Sequence, residues 1–172
     1  MELAAFDRTY AEMHPRVVGF LLRLSGRRDT AEDLAQETWL KFAKAAPTLP
    51  ADTNVPAYLF TIARNAFVSH RRWAMLDFSR LVMLGFESLG ESAAAPDEEH
   101  DRARAVRVLE SALAKIPLAS REVLLLVGVE GLEQEEVAKI LGISYDALRK
   151  RLSRARSELA AKMEKIEAGG IA

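Results

Sequence analysis

Apolar residues recur along this chain at three- and four-residue intervals almost from end to end, with no strand-like alternation. Ala, Leu, Arg and Glu dominate while Gly and Pro are sparse, a composition of good helix formers. The pattern predicts an all-α protein. A first helix is expected over residues 3–24, stopped by Ser25-Gly26 and bent or divided at Pro15. A second is expected from Thr30, where Thr30 and Asp33 have capping-box spacing, to residue 46 before Pro47. A loop punctuated by Pro50 and Pro56 precedes a third helix over residues 57–73 or slightly beyond. Further helices are expected over residues 99–115, 118–127, 133–141 and 144–167, separated by Gly128, Gly131 and Gly142.

Between the third and fourth helices the pattern breaks. Residues 87–101 carry six acids and no Lys or Arg around the run Ala93-Ala94-Ala95-Pro96, which reads as a linker. The expected organisation is therefore two small helical domains, residues 1–80 and 103–168, joined by a flexible acidic linker over residues 81–102. Domains of this size bury limited cores.

The segment 133–157 carries the most specific local signal. A short amphipathic helix ends at Gly142, which supplies a left-handed turn, and Ser144 can cap the next helix. This is the spacing of a helix-turn-helix, whose second helix enters the major groove. At 100° per residue, Leu148, Leu152, Ala155 and Leu159 form one core stripe. The opposite face carries Asp146, Lys150, Ser153, Arg154 and Ser157. Lys150, Ser153 and Arg154 point toward base edges, while Arg149, Arg151 and Arg156 flank them and are placed to hold phosphates. Residues 144–157 contain five bases against one acid, so positive charge is concentrated where DNA would lie. Asp146 suits the positive N-terminus of a helix but repels a nearby phosphate.

Charge and composition sharpen this picture. The net charge of −1 over 172 residues makes any nucleic-acid contact a matter of local clustering. The absence of cysteine removes disulfides and zinc-thiolate sites, and three scattered histidines offer no metal cluster, so neither a metal nor a cofactor is expected. No nucleophile–base pair or Gly-rich phosphate loop is visible, which argues against an enzyme. No apolar stretch reaches about 18 residues, and the N-terminus lacks the charge and apolar core of a secretory signal, so a cytoplasmic protein without membrane insertion is expected.

The helix-turn-helix is preceded by the block from Ile116-Pro117 through Arg121 and Val123 to Leu126, then Gly131-Leu132. Together these resemble region 4 of the extracytoplasmic-function (group IV) sigma factors of the sigma-70 family. Ile116 stands for the usual Leu, Glu133 for Ser or Thr, Val137 for Ile, and Tyr145-Asp146-Ala147 for a Gly-Thr-Val type of turn. Independently, Asp33-Leu34-Ala35-Gln36-Glu37-Thr38-Trp39-Leu40-Lys41-Phe42 and Tyr58-Leu59-Phe60-Thr61-Ile62-Ala63-Arg64-Asn65 resemble region 2 blocks of the same family, with Tyr58 in place of Trp. The resemblance covers roughly residues 5–75 and 103–163.

That resemblance implies a factor that directs RNA polymerase to promoters. Its partners would be core polymerase, through the β′ coiled coil and the β flap, promoter DNA, and an anti-sigma factor as a family-level regulator. On the second helix, Ala31, Leu34, Ala35, Thr38, Trp39 and Phe42 share an inward face, while Asp33, Gln36, Glu37 and Leu40 form another, which the resemblance assigns to the β′ coiled coil. On the third helix, Leu59, Ile62, Ala63 and Ala66 form the expected core stripe, continued by Trp73, with His70 on its core side. By resemblance, that helix and the loop before it grip the −10 element. Asn65, donor and acceptor at once, is the leading base reader, Asp52, Thr53 and Asn54 are the next, and Arg64, Arg71 and Arg72 hold phosphates. The competing reading is a stand-alone helix-turn-helix regulator binding operator DNA. It accounts for residues 133–157 but leaves the Gln36-Glu37 and Ile62-to-Asn65 blocks unexplained.

Overall fold

Every described element of the chain, taken from a computed structural model, is helical. The backbone is described for residues 3–83 and 101–169, and side-chain surroundings for residues 5–75 and 104–169. Two compact units divide between residues 95 and 96. The division falls inside the acidic segment, most of which, residues 84–100, lies outside the described residues.

The first unit is a three-helix bundle of α1 (Leu3–Ser25), α2 (Arg28–Ala45) and α3 (Val55–Met83). Of the two outcomes expected at Pro15, division does not occur: α1 is one continuous helix from Leu3 to Ser25. Pro15 and Ala11, whose carbonyl loses its helical donor, both face solvent, so water can satisfy the orphaned oxygen. The expected stop holds, with Gly26 at φ 70° and its N–H bonded to the Leu22 carbonyl at 2.8 Å.

The start of α2 differs from expectation. The helix begins at Arg28, its cap residue Arg27 makes no side-chain cap bond, and no Thr30–Asp33 capping box forms. Asp29 takes over the first turn instead: its Oδ1 accepts from the Thr30 N–H at 2.7 Å and its Oδ2 from Arg27 Nη2 at 2.6 Å. The bond from the Arg27 guanidinium, with that backbone bond, holds the Asp29 carboxyl far below the ordinary carboxylate range. Arg28 pairs with Glu32 one turn on, at 2.8 Å, which draws the helix start forward.

All six residues expected on the inward face of α2 are buried. Buried Thr38 satisfies its hydroxyl by donating to the Leu34 carbonyl at 2.7 Å. Across the bundle, Phe20 meets Phe60 edge to face at 5.3 Å between centroids, and Phe42 and Leu59 are also fully enclosed.

A short 3-10 turn, Ala46–Thr48, leads to the loop before α3. Asn54 caps that helix through its side-chain oxygen, which accepts from the Ala57 N–H at 3.2 Å, so α3 starts two residues earlier than expected. Pro56 is tolerated because a first-turn N–H has no helical acceptor.

In the second unit, α4 (Asp101–Ala114), α5 (Leu118–Leu124) and α6 (Gln134–Leu141) all pack on α7 (Tyr145–Gly169). Arg121 ties the α4–α5 turn, its Nη2 donating to the carbonyls of Ala114 at 2.8 Å and Ile116 at 3.2 Å. Ser120 donates to Glu158 on α7 at 2.6 Å. The helix expected to run to residue 127 stays α-helical only to Leu124 and widens into a π turn over Leu125–Val129, where the Glu130 N–H reaches the Leu125 carbonyl at 2.9 Å. Gly131 at φ 67° then reverses the chain toward α6.

Candidate nucleic-acid and partner interfaces

The turn between α6 and α7 is built from its backbone upward. Gly142 adopts φ 64°, ψ 37°, the left-handed conformation expected of it. The Ile143 N–H bonds the Ala138 carbonyl at 3.0 Å, closing the end of α6. Ser144 then caps α7, its Oγ accepting from the Ala147 N–H at 3.2 Å. Leu148, Leu152 and Ala155 are buried beneath the helix and Leu159 is half-buried. With α7 anchored by that stripe, its other face is turned outward. Arg149, Lys150, Ser153, Arg154 and Arg156 are exposed, and Arg151 is half-buried on the flank. Arg154 Nε lies 3.4 Å from the Lys150 carbonyl, a long contact that leans its side chain back along the helix.

On α3 the buried stripe is Ala57, Leu59, Phe60, Ala63, Ala66 and Phe67. Ile62, expected in that stripe, is only half-buried. Asn65 is exposed on the opposite side, with Arg71 and Arg72 exposed two turns on and Arg64 half-buried beside it. Two expectations fail here. Trp73 does not continue the core but is 66% exposed, and His70 is exposed rather than packed. The physical reason is overhang. By 1.5 Å per residue, α3 with its 29 residues outruns the 18 of α2 by roughly 16 Å, and residues 68–75 all project past the bundle. Of the loop candidates, Asp52 is exposed and Thr53 half-buried. Asn54 is exposed, but its side-chain oxygen is engaged in capping α3.

On α2, Asp33 and Gln36 are exposed and Glu37 is half-buried, paired with Lys41 at 2.6 Å. Leu40 stands among them 58% exposed. Gln36 and Leu40 also rim a groove of about 810 Å³ between α1 and α2, walled by Tyr10, His14, Leu22 and Trp39. Sequence reading missed this groove, because Tyr10 and Leu22 look like ordinary stripe residues of α1 until the helix pairing is known. Tyr10 stacks on His14 and leans against Trp39, each at 4.7 Å between centroids, while its own ring remains partly exposed. The exposed apolar surface here is thus wider than Leu40 alone. Among the described residues no group of His, Asp or Glu stands close enough to hold a metal ion, and no helix is long and apolar enough to cross a membrane.

Comparison with known proteins agrees with this division. Residues 9–74 match the family model of Sigma-70 region 2, and residues 107–159 match that of Sigma-70 region 4. The chain is 36% identical over 150 residues to the ECF RNA polymerase sigma factor EcfG of Rhodopseudomonas palustris, covering 86% of this chain and 78% of that one. It is 29% identical to the ferric citrate uptake sigma factor FecI of Escherichia coli, covering 87% and 86%. Among solved structures, it is similar to the sigma factor RpoE of Bartonella quintana in complex with the anti-sigma factor NepR. The TM-score is 0.77 at 28% identity, over 94% of this chain and 98% of that one.

Proposed function

The chain belongs to the extracytoplasmic-function group of the sigma-70 family, and on that premise we propose that it directs core RNA polymerase to promoters through three surfaces, without catalysing a reaction itself. Residues 1–80 dock on polymerase and take the −10 element, residues 81–102 link, and residues 103–168 take the −35 element. The observation that carries this reading is the coexistence, in one chain, of a capped helix-turn-helix with an outward basic face and a separate bundle exposing Asn65 and Leu40. A stand-alone repressor needs only the first.

Docking uses Asp33, Gln36, Glu37 and Leu40 against the β′ coiled coil, extended by the groove that Gln36 and Leu40 share with Tyr10 and Leu22. The β flap is the contact proposed for the second unit. On the −35 duplex, Lys150, Ser153 and Arg154 reach base edges while Arg149, Arg151 and Arg156 hold phosphates. On the opened −10 strand, Asn65 reads an extruded base, with Asp52, Thr53 and the free amide side of Asn54 nearby and Arg64, Arg71 and Arg72 on phosphates. Exposed Trp73, beside Arg72, supplies a surface on which an unpaired base can stack. An anti-sigma factor is a natural regulator, as one is bound to the similar Bartonella protein. The working compartment is the cytoplasm, where polymerase and promoter are.

The test is run-off transcription with purified core polymerase and a promoter library. Initiation from a defined subset of templates, dependent on this chain, is the expected result. Binding of duplex operators by the chain alone, with no initiation from any template, would favour the stand-alone regulator.

A further inference from the structure

Asp146 is the one acid among residues 144–157, and although the positive end of α7 favours it, that end would favour an acid on any side of the first turn and does not account for this face. It is the second residue of the helix and exposed. Its direction lies within about 40° of Lys150 at 100° per residue, so it faces the same way as the base-reading side chains. It does not cap the helix, because Ser144 does. Nor is it held in an ion pair. Arg149 and Lys150 stand at the three- and four-residue spacings that favour one, yet none forms, whereas Arg28–Glu32, Glu37–Lys41 and Glu136–Lys139 all pair at such spacings. What remains is a free carboxylate at the N-terminal end of a recognition helix, where side chains meet base edges. Facing phosphates, it would oppose the contacts that the five bases of residues 144–157 make.

We propose that Asp146 reads a cytosine of the −35 element, accepting from its N4 amino group. This rests on the assignment of α7 to the −35 duplex. In the major groove the exocyclic amino groups are the donors that a carboxylate can accept from. Adenine also offers one, at N6, but places the N7 acceptor beside it, against the second carboxylate oxygen. Cytosine has no acceptor next to N4 on that edge. The guanine across the same pair presents O6 and N7, both acceptors, to the neighbouring Lys150, so one G·C pair satisfies both signs of charge at this end of the helix. The acid thereby serves discrimination at a cost in affinity: wherever no amino donor faces it, it repels the DNA.

The experiment is a −35 library, randomised one position at a time, read by run-off transcription with core polymerase and the full chain or its variants. The full chain is expected to favour cytosine at one position by roughly five- to tenfold. In Asp146→Ala that preference falls to within about twofold, the other positions keep theirs, and binding of holoenzyme to a promoter-free duplex strengthens at low salt. Asp146→Asn, which keeps the shape and removes the charge, gives the same strengthening and serves if the alanine variant folds poorly. A cytosine preference that survives in both variants overturns the assignment. So does a wild-type profile with no cytosine-demanding position, or a variant that flattens an adenine preference instead. Arg154→Ala separates the two levels of the account. If it alters the −35 profile while Asp146→Ala does not, only the cytosine contact falls. If neither alters it, the placing of α7 on the −35 element falls as well.

Discussion

The outward faces of α7 and α3 differ in kind. The α7 face is almost wholly polar, with Arg149, Lys150, Ser153, Arg154 and Arg156 exposed and its large apolar residues turned inward apart from Tyr145 at the helix start. The α3 face mixes Asn65, Arg71 and Arg72 with exposed Val68, Trp73 and Met75. A closed duplex offers phosphates and hydrogen-bonding base edges, which a charged helix meets well. An opened strand also offers the flat faces of unstacked bases, and those reward apolar and aromatic surface. That difference fits the proposed roles, α7 on a closed duplex and α3 on an opened strand.

The largest effect is expected where both faces fall silent together. Leu40→Arg puts a charge into the apolar docking patch and should reduce association with core polymerase by a hundredfold or more in a pull-down titration, with thermal stability nearly unchanged because Leu40 is exposed. Undiminished association would move docking elsewhere. Next comes a split. Arg154→Ala should cost about 1–3 kcal/mol at the −35 element and leave −10 preference intact, whereas Asn65→Ala should flatten preference at one −10 position and leave −35 preference intact. Promoter substitution series on the two variants check this, and a loss that spreads equally over both elements contradicts it.

A smaller effect belongs to Trp73. Replacement by Ala should lower the yield of open complex severalfold and replacement by Phe should restore most of it, since stacking needs a ring rather than an indole. The chain's other tryptophan, Trp39, is only 6% exposed, so iodide should quench Trp73 selectively and an unpaired promoter strand in holoenzyme should protect it. The smallest effect tests the scaffold. Gly142→Ala forces a Cβ into a φ of 64° and should destabilise the second unit by about 1 kcal/mol, read by thermal unfolding, with −35 affinity falling in parallel.

Much of this was legible in the chain because helical periodicity fixes faces without knowledge of partners. The six inward residues of α2, the stripe under α7, the turn at Gly142 and the cap at Ser144 all follow from spacing and residue type. Failures came where a face depends on what lies opposite. Trp73 and His70 continue the angle of the α3 stripe, yet the bundle has ended by their level, so the same angle points to solvent. Resemblance to the region 2 blocks singles out Leu40 and Asn65, but the groove beside Leu40 depends on how α1 pairs with α2. The start of α2 was misplaced because an Arg27–Asp29 bond and an Arg28–Glu32 pair outweighed the Thr30–Asp33 spacing. The π turn at Leu125–Val129 carries no periodic signal, since one widened turn shifts the stripe only at its end.

The most direct measurement of the central claim is site-specific photo-crosslinking from two positions of the same holoenzyme–promoter complex. A photoreactive side chain at position 65 should join the opened −10 strand, and one at position 150 should join the −35 duplex upstream of it. Crosslinks from both positions to a single duplex element, or from position 150 alone in the absence of core polymerase, would contradict the account.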